Sequence, residues 1–428
     1  MKSTRFVFVA LLVSSAAHAQ DNSQTSTSFG NSNQVTVTQT GRGNNATARQ
    51  NDAAVNGGSA SGNNNQVTQT QIGRNQLAQV DQLGNDQQAV QYQSSDRGGV
   101  GASILQGSSQ AGSNGNFAGQ RQGGFSLGAN IQQLSGLNYA TQDQSGRNAT
   151  ATILQSQGNG NRATQQQSSF SEATATQLGA ANTSTQEQSN NLGTGTGSIR
   201  ATVYQAGNGN SATQRQQDAR RSTSSFTSQE GIITQEGNLN RATQQQSGTG
   251  AQATITQIGN GNSGSQQQTP RFVEIGQLSA TLTQIGDANS STQTQQQTDY
   301  STLRTTQTGN ANSALQTQSS GVYLSAVITQ SGNENRATQT QQDAFQSATI
   351  TQSGSGDTAV QDQRTGGDGS AFYGNKATIS QQAAGGNNYA QQLQVGDGNN
   401  ARTEQGTAGN QSDIQQQGNG NTTVVVQN

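Results

Sequence analysis

The side chains of this chain that could do chemistry are almost entirely amides and hydroxyls. Cys is absent, and the only His is His18, which falls in a segment that we expect to be removed (residues 1–19, below). Catalysis by a Cys or His nucleophile, and metal binding through imidazole or thiolate, therefore lack their side chains. Acidic residues such as Asp143 and Glu187 stand singly, and not as the pairs that acid–base catalysis uses. We expect no enzyme activity, no metal site and no cofactor.

The chemistry that remains is amide hydrogen bonding, because Gln and Asn recur at a fixed spacing. The skeleton Gln-x-Gly-x-x-Asn-x-Ala-x-x-x-Gln is repeated along the chain. Repeats on this scale decide the fold before any local pattern does. The residues of its complete matches are Gln39, Gly41, Asn44, Ala46 and Gln50; Gln205, Gly207, Asn210, Ala212 and Gln216; Gln235, Gly237, Asn240, Ala242 and Gln246; Gln307, Gly309, Asn312, Ala314 and Gln318; Gln330, Gly332, Asn335, Ala337 and Gln341; and Gln394, Gly396, Asn399, Ala401 and Gln405.

The spacing of these residues predicts the elements that position them. Successive skeleton glutamines lie roughly eleven residues apart, which is the length of one β-strand and one turn. Side chains alternate in direction along a strand. If the Gln points inward, the residues two and four before it therefore also point inward. The residue four before is almost always small. The residue two before is aliphatic in one strand, as at Val37 and Val203, and Gln in the next, as at Gln214, so the full repeat is roughly 22 residues.

This pattern predicts an all-β fold, a β-solenoid of stacked strand–turn–strand coils. Stacked Gln side chains can hydrogen-bond along the stack, and this satisfies buried amides that would otherwise cost about 1–3 kcal/mol each. Gly suits the left-handed turn positions, and Asn can bond the turn backbone. Extra residues fall just after a strand-ending Gln and predict loops on one side of the solenoid, at Ser189–Gly197, Gln217–Ser225, Thr269–Ile275 and Thr365–Ala371.

Composition alone suggests a different class of protein. Only 27% of the residues are hydrophobic and 10% are charged, and a chain with so little apolar surface is usually disordered. The single Pro and the strict periodicity of the polar residues favour an ordered repeat. The net charge of −2 gives no sign of nucleic-acid binding.

The beginning of the chain predicts export. Lys2 and Arg5 precede the apolar run Phe6–Val13, and small residues ending at Ala19 follow, so residues 1–19 are a signal peptide. The apolar run is too short to span a membrane, and no membrane insertion is expected. Residues 20–27 form a short leader that can carry an export signal, and 28–428 form the repeat array.

The skeleton resembles the curlin repeat of bacterial curli fibres, whose signature ends in Gln-x-Gly-x2-Asn-x-Ala-x3-Gln. Gln205, Gly207, Asn210, Ala212 and Gln216 match it position by position, and the resemblance extends over nearly all of residues 28–427. It implies a secreted subunit that self-assembles head to tail into amyloid fibres for biofilm matrix, cell aggregation and adhesion. It also implies a nucleator subunit, an outer-membrane export pore and periplasmic accessory factors as partners.

Other functions remain open at this point. The minor, nucleating subunit of such fibres shares the repeat. Outward Thr pairs, such as Thr254 with Thr256 and Thr281 with Thr283, also suit a monomeric solenoid that binds ice or another surface, although Thr is a common solvent-facing strand residue. A disordered matrix protein is the third reading. We expect uncapped strand edges at both ends of the array, since the spacing continues to Gln427.

Overall fold

A computed structural model describes residues 21–52, 62–107, 113–189, 198–217, 228–248, 250–271, 277–365, 373–382 and 385–428. Every regular element in these residues is a β-strand, so none of them forms a helix long and apolar enough to cross a membrane. The predicted signal peptide lies outside the described residues, and so does most of each predicted loop insertion.

The chain divides into two compact units, Met1–Asn191 with Ser198–Asn210, and Leu192–Gly197 with Ser211–Asn428. The strands of the first are β1 (Ser23–Ser28), β2 (Gln34–Arg42), β3 (Asn45–Gln50), β4 (Gln66–Arg74), β5 (Gln76–Gln82), β6 (Gln88–Ser95), β7 (Val100–Gln106), β8 (Phe117–Gln133), β9 (Tyr139–Ser156), β10 (Arg162–Gln167), β11 (Ser171–Leu178), β12 (Thr183–Ser189) and β13 (Ile199–Ala206).

The strands of the second unit are β14 (Ser211–Gln217), β15 (Gln229–Glu236), β16 (Arg241–Ser247), β17 (Ala251–Ile258), β18 (Ser263–Pro270), β19 (Leu278–Ile285), β20 (Ser290–Thr298), β21 (Ser301–Thr308), β22 (Ser313–Ser319), β23 (Ser325–Ser331), β24 (Arg336–Gln342), β25 (Ser347–Gln352), β26 (Thr358–Arg364), β27 (Lys376–Gln381), β28 (Tyr389–Val395), β29 (Asn400–Gln405), β30 (Gln411–Gln417) and β31 (Thr422–Gln427).

Within each unit the strands form two parallel stacks. In the second unit the even-numbered strands pair in order from β14 to β30 and the odd-numbered strands from β15 to β31, as β19 does with β17 and β21. The first unit follows the same rule, except that the strands β8 and β9 are long. The first segment of each belongs to one stack and the second segment to the other. Parallel strands need a crossover between them, and here one strand of the facing stack supplies it. One strand of each stack makes one coil, so the predicted β-solenoid is confirmed.

The core lies between the two stacks and is thin. Along β17, Ala251, Ala253, Ile255 and Gln257 are buried, and the residues between them are partly or fully exposed. In the second unit, one stack contributes most of the buried aliphatic side chains, each of which stabilises the fold by about 1.5–3 kcal/mol. Two residues before the ladder Gln they are Ile233, Ile255, Leu282, Ile328, Ile350 and Ile379. The facing stack carries Gln at the same position from β14 to β28 and Ile414 in β30, so much of this half of the core depends on hydrogen bonds.

Val37 departs from the predicted division into aliphatic and glutamine strands. Its strand β2 pairs with β4, and the register places Val37 beside Gln69, in a column whose other members in this unit are Gln. The strand order decides which stack a strand joins, whatever its side chain. The aliphatic half therefore does not include Val37.

Candidate functional site: glutamine ladders and open strand edges

The glutamines at the strand ends form hydrogen-bonded columns, here called glutamine ladders. Gln307 Nε2 donates to Gln330 Oε1 at 2.8 Å, and Gln284 Nε2 donates to Gln307 Oε1 at 2.8 Å. The other amide hydrogen of Gln307 goes to the main-chain oxygen of Ser290 in the facing stack, at 3.0 Å. Parallel strands about 4.8 Å apart bring each amide within reach of the next. The buried amide is thus paired along the stack and across the core.

Two such ladders run through each unit, and every amide donates toward the later coil. In the first unit they are Gln39, Gln71, Gln93, Gln122, Gln144, Gln167 and Gln188, and Gln50, Gln82, Gln106, Gln133, Gln155, Gln177 and Gln205. In the second they are Gln216, Gln246, Gln268, Gln295, Gln318, Gln341, Gln363, Gln394 and Gln416, and Gln235, Gln257, Gln284, Gln307, Gln330, Gln352, Gln381, Gln405 and Gln427.

A further glutamine column fills the core opposite the aliphatic side chains. Gln316 Nε2, for example, donates to Gln339 Oε1 at 2.8 Å and to the main-chain oxygen of Arg304 in the facing stack at 3.1 Å. The column comprises Gln69, Gln91, Gln120, Gln142, Gln165 and Gln186 in the first unit, and Gln214, Gln244, Gln266, Gln293, Gln316, Gln339, Gln361 and Gln392 in the second.

The turn asparagines join neighbouring coils. Asn312 Oδ1 accepts from the main-chain nitrogen of Asn335 at 3.1 Å, and Asn312 Nδ2 donates to the Gly332 oxygen at 2.8 Å. Gly309 has φ 106°, and a Cβ there would lie 2.0 Å from the Gly332 oxygen. Both a left-handed conformation and the close approach of the next coil therefore require Gly at this position.

Asp357 replaces Asn at one position of this turn column and is fully buried. Its Oδ1 accepts from the main-chain nitrogen of Asn388 at 2.9 Å, and its Oδ2 has no partner. Burial raises the pKa of the Asp357 carboxyl, while the hydrogen bonds from Asn388 oppose that shift. Unlike the Asn Nδ2 at the equivalent positions, an ionised carboxylate cannot donate a hydrogen bond to the next coil.

The predicted skeleton residues all lie where the chain stacks on itself. Every Gln, Asn and Ala named for the complete matches is buried, except Gln39, which is partly exposed in β2. The Gly of each match has positive φ, between 106° and 113°. The prediction that Asn bonds its own turn was incomplete, because the strongest contacts reach the next coil.

Two side-chain contacts were not predicted from the sequence. Tyr300, Tyr323 and Phe345 stack at successive turns, with ring centroids 5.2 and 5.4 Å apart. Arg162 lies over the Tyr139 ring, with its Cζ 4.4 Å from the ring centroid. Both contacts depend on which turns align, and the irregular loop insertions hide that alignment in the sequence.

The first and last described coils have open edges. Among the described residues, β1 and β2 pair only with β3 and β4, and β30 and β31 pair only with β28 and β29. Gln427 Nε2 donates to the Gln411 oxygen at 2.9 Å, and no described side chain lies beyond it in the ladder. Unpaired edges of this kind can bind another strand.

The described residues contain no group of three acidic or His residues placed to hold a metal ion. Comparison with known proteins adds no relative, since no protein-family model matches the chain and no curated protein matches it. The geometry itself is therefore the basis for a functional assignment.

Proposed function

We propose that the protein is the structural subunit of an extracellular, curli-like amyloid fibre. The observation that carries this proposal is the ladder of buried amides, which continues to the first and last described coils and leaves a hydrogen-bonding group unused there. Leaving such a group unpaired on burial costs about 1–3 kcal/mol. Another copy stacked on the open edge pairs that group and the strand backbone together.

The contact between copies is heterologous, because the first coil of one copy meets the last coil of another. Such a contact does not close on itself and produces a filament. The strands then lie across the fibre axis, as in cross-β assemblies. The small net charge of −2 opposes this association little.

The resemblance to curlin repeats supplies the cellular setting of the proposal. The signal peptide directs the chain to the periplasm, and an outer-membrane pore with periplasmic accessory factors exports it. Outside the cell, a nucleator subunit starts growth, and the fibres serve biofilm matrix, cell aggregation and adhesion. A role as the nucleator itself is the nearest alternative, and it predicts that small amounts shorten the lag of another subunit.

Seeded polymerisation of the purified chain from Gln20 tests the proposal. We expect growth after a lag, a shorter lag with preformed fibres, and a rise in amyloid-dye fluorescence that follows sedimentable mass. A chain that remains monomeric for days at high concentration, with or without seeds, would overturn the fibre function.

A second function is favoured by one outward column of the second unit. Thr234, Thr256, Thr283, Thr306, Thr329 and Thr351 lie in register on one face. A regular hydroxyl array of this kind suits binding of ice or another ordered surface by a monomer. Thermal hysteresis from the monomeric protein, lost on changing Thr283 and Thr306 to Lys, would favour this function over the fibre.

A further inference from the structure

The winding of the chain determines how a second copy can join the last described coil. Each new strand lies beside the strand two positions earlier, as β30 lies beside β28 and β31 beside β29. A copy that continues this winding must place its first strand beside β30 and its second beside β31. Placing β1 beside β31 instead would leave the open edge of β30 without a strand.

We propose that β1, its turn and β2 of one copy pair with β30, its turn and β31 of another, without a gap. This inference rests on the proposed fibre function and specifies its contact. Ser23–Gln39 then lies in register with Gln411–Gln427. The paired positions include Gly30 with Gly418, Asn31 with Asn419, Asn33 with Asn421, Val37 with Val425 and Gln39 with Gln427.

The two turns in this pairing have matching backbones. Gly30 and Gly418 have φ 107° and 95°, and Ser32 and Gly420 have φ 57° and 70°. At Gly396, one coil earlier, a Cβ would lie 2.2 Å from the Gly418 oxygen, whereas at Gly418 the only atom near it is Asn421 Nδ2 at 3.8 Å. The turn of the last coil is therefore shaped for a further Gly-x-x-Asn turn.

The proposed contact accounts for an unfavourable core residue of the first unit, Val37. Val37 lies beside Gln69 in the glutamine column, and the buried Gln69 Oε1 has no hydrogen-bond partner. A Gln at position 37 would donate to it, so Val is the poorer residue within its own chain. In the proposed contact Val37 packs against Val425, which is also inward and partly exposed. The pairing buries both valines.

The ladder gives the contact a single direction. Every ladder amide donates toward the later coil, so Gln427 presents an N–H and Gln39 presents Oε1, to which no described residue donates. The contact continues the ladder from Gln427 to Gln39. In the other ladder Ser28 Oγ donates to Gln50 Oε1 at 2.9 Å, and Gln416 Nε2 donates within its own chain to the Asn400 oxygen and to Thr423 Oγ1, each at 3.1 Å. Two copies cannot join through the same end.

Disulfide cross-linking tests this register, because the chain has no Cys of its own. Thr38 and Val426 are exposed, outward residues that the pairing sets side by side. Their Cα atoms would be about 4.8 Å apart, inside the range of roughly 4.4–6.8 Å that a disulfide allows. A chain with Thr38→Cys and Val426→Cys should give fibres that run as a ladder of covalent oligomers without reductant, and as monomer with it.

Two matched double variants serve as controls. Thr36→Cys with Val426→Cys displaces the pair by two residues, to about 8 Å, and should not cross-link. Thr27→Cys with Val426→Cys tests β1 beside β31 and should not cross-link either. If all three variants polymerise and a control links while the first does not, the register is wrong and the fibre function stands. If neither the three variants nor the parent chain polymerise, both the proposed register and the proposed function are wrong.

Discussion

Removing one ladder amide should open the coils around it. Gln307→Leu replaces the amide with an apolar side chain of similar size and so deletes three hydrogen bonds, to Gln284, Gln330 and the Ser290 oxygen. Each group left unpaired in the core costs about 1 kcal/mol or more, so the total is about 3 kcal/mol. Every 1.4 kcal/mol is tenfold in an equilibrium constant, so local opening should increase about 100-fold.

Hydrogen exchange of freshly prepared monomer, followed by mass spectrometry, measures this opening. Amides of β19, β21 and β23 should exchange about 100-fold faster in Gln307→Leu, because coils of a solenoid contact only their neighbours. Peptides from β4 and β6 in the first unit should be unchanged. The outward neighbour Thr306→Ala is the matched control and should alter exchange by less than about threefold. Equal exchange rates in the two variants would refute the claim that the ladder hydrogen bonds stabilise the coils.

The turns, the buried carboxyl and the open edge give three further predictions. Gly309→Ala should block stacking because its Cβ would lie 2.0 Å from the Gly332 oxygen, whereas Gly261→Ala, with φ 65° and no atom near the new Cβ, should lose less stability in chemical denaturation. The raised pKa of Asp357 means that its neutral form is favoured in the fold, so its stabilisation is present in acid and is lost as the pH rises through the raised pKa. Asp357→Asn should therefore stabilise the protein by about 1–2 kcal/mol at pH 7, with a smaller gain at pH 4, and an equal gain at both would contradict this. Val425→Lys should slow elongation on parent seeds at least tenfold, and the outward Val426→Lys should slow it less than about twofold; similar rates would place Val425 outside the contact.

The glutamine periodicity was sufficient to predict the fold. The inward positions of the Gln, the small residue and the aliphatic residue follow directly from the alternation of side chains along a strand. Val203 was assigned to the aliphatic strands and Gln214 to the glutamine strands, and each lies in the corresponding stack of its own unit. Val37 was misassigned because alternation gives the direction of a side chain but not the partner of its strand. That partner depends on the order of coils, which the loop insertions obscure.

The contacts between coils were the least predictable part of the candidate site. Asn312 was expected to bond the turn backbone, and its Nδ2 does lie 3.5 Å from the Thr308 oxygen of its own turn, but the shorter bond, at 2.8 Å, reaches the Gly332 oxygen of the next coil. Asp357 Oδ1 likewise accepts from the main-chain nitrogen of Asn388, which is 31 residues away in the sequence. Sequence spacing identifies the residue type at a turn, whereas the stacking distance between coils decides which atoms it meets.

Fibre diffraction from aligned fibres of the purified chain tests the central claim most directly. End-to-end stacking of the coils predicts a reflection at about 4.7–4.8 Å along the fibre axis, because the strands of every copy lie across that axis. Fibres whose 4.7–4.8 Å spacing is perpendicular to the axis, or a protein that forms no fibres at all, would contradict it.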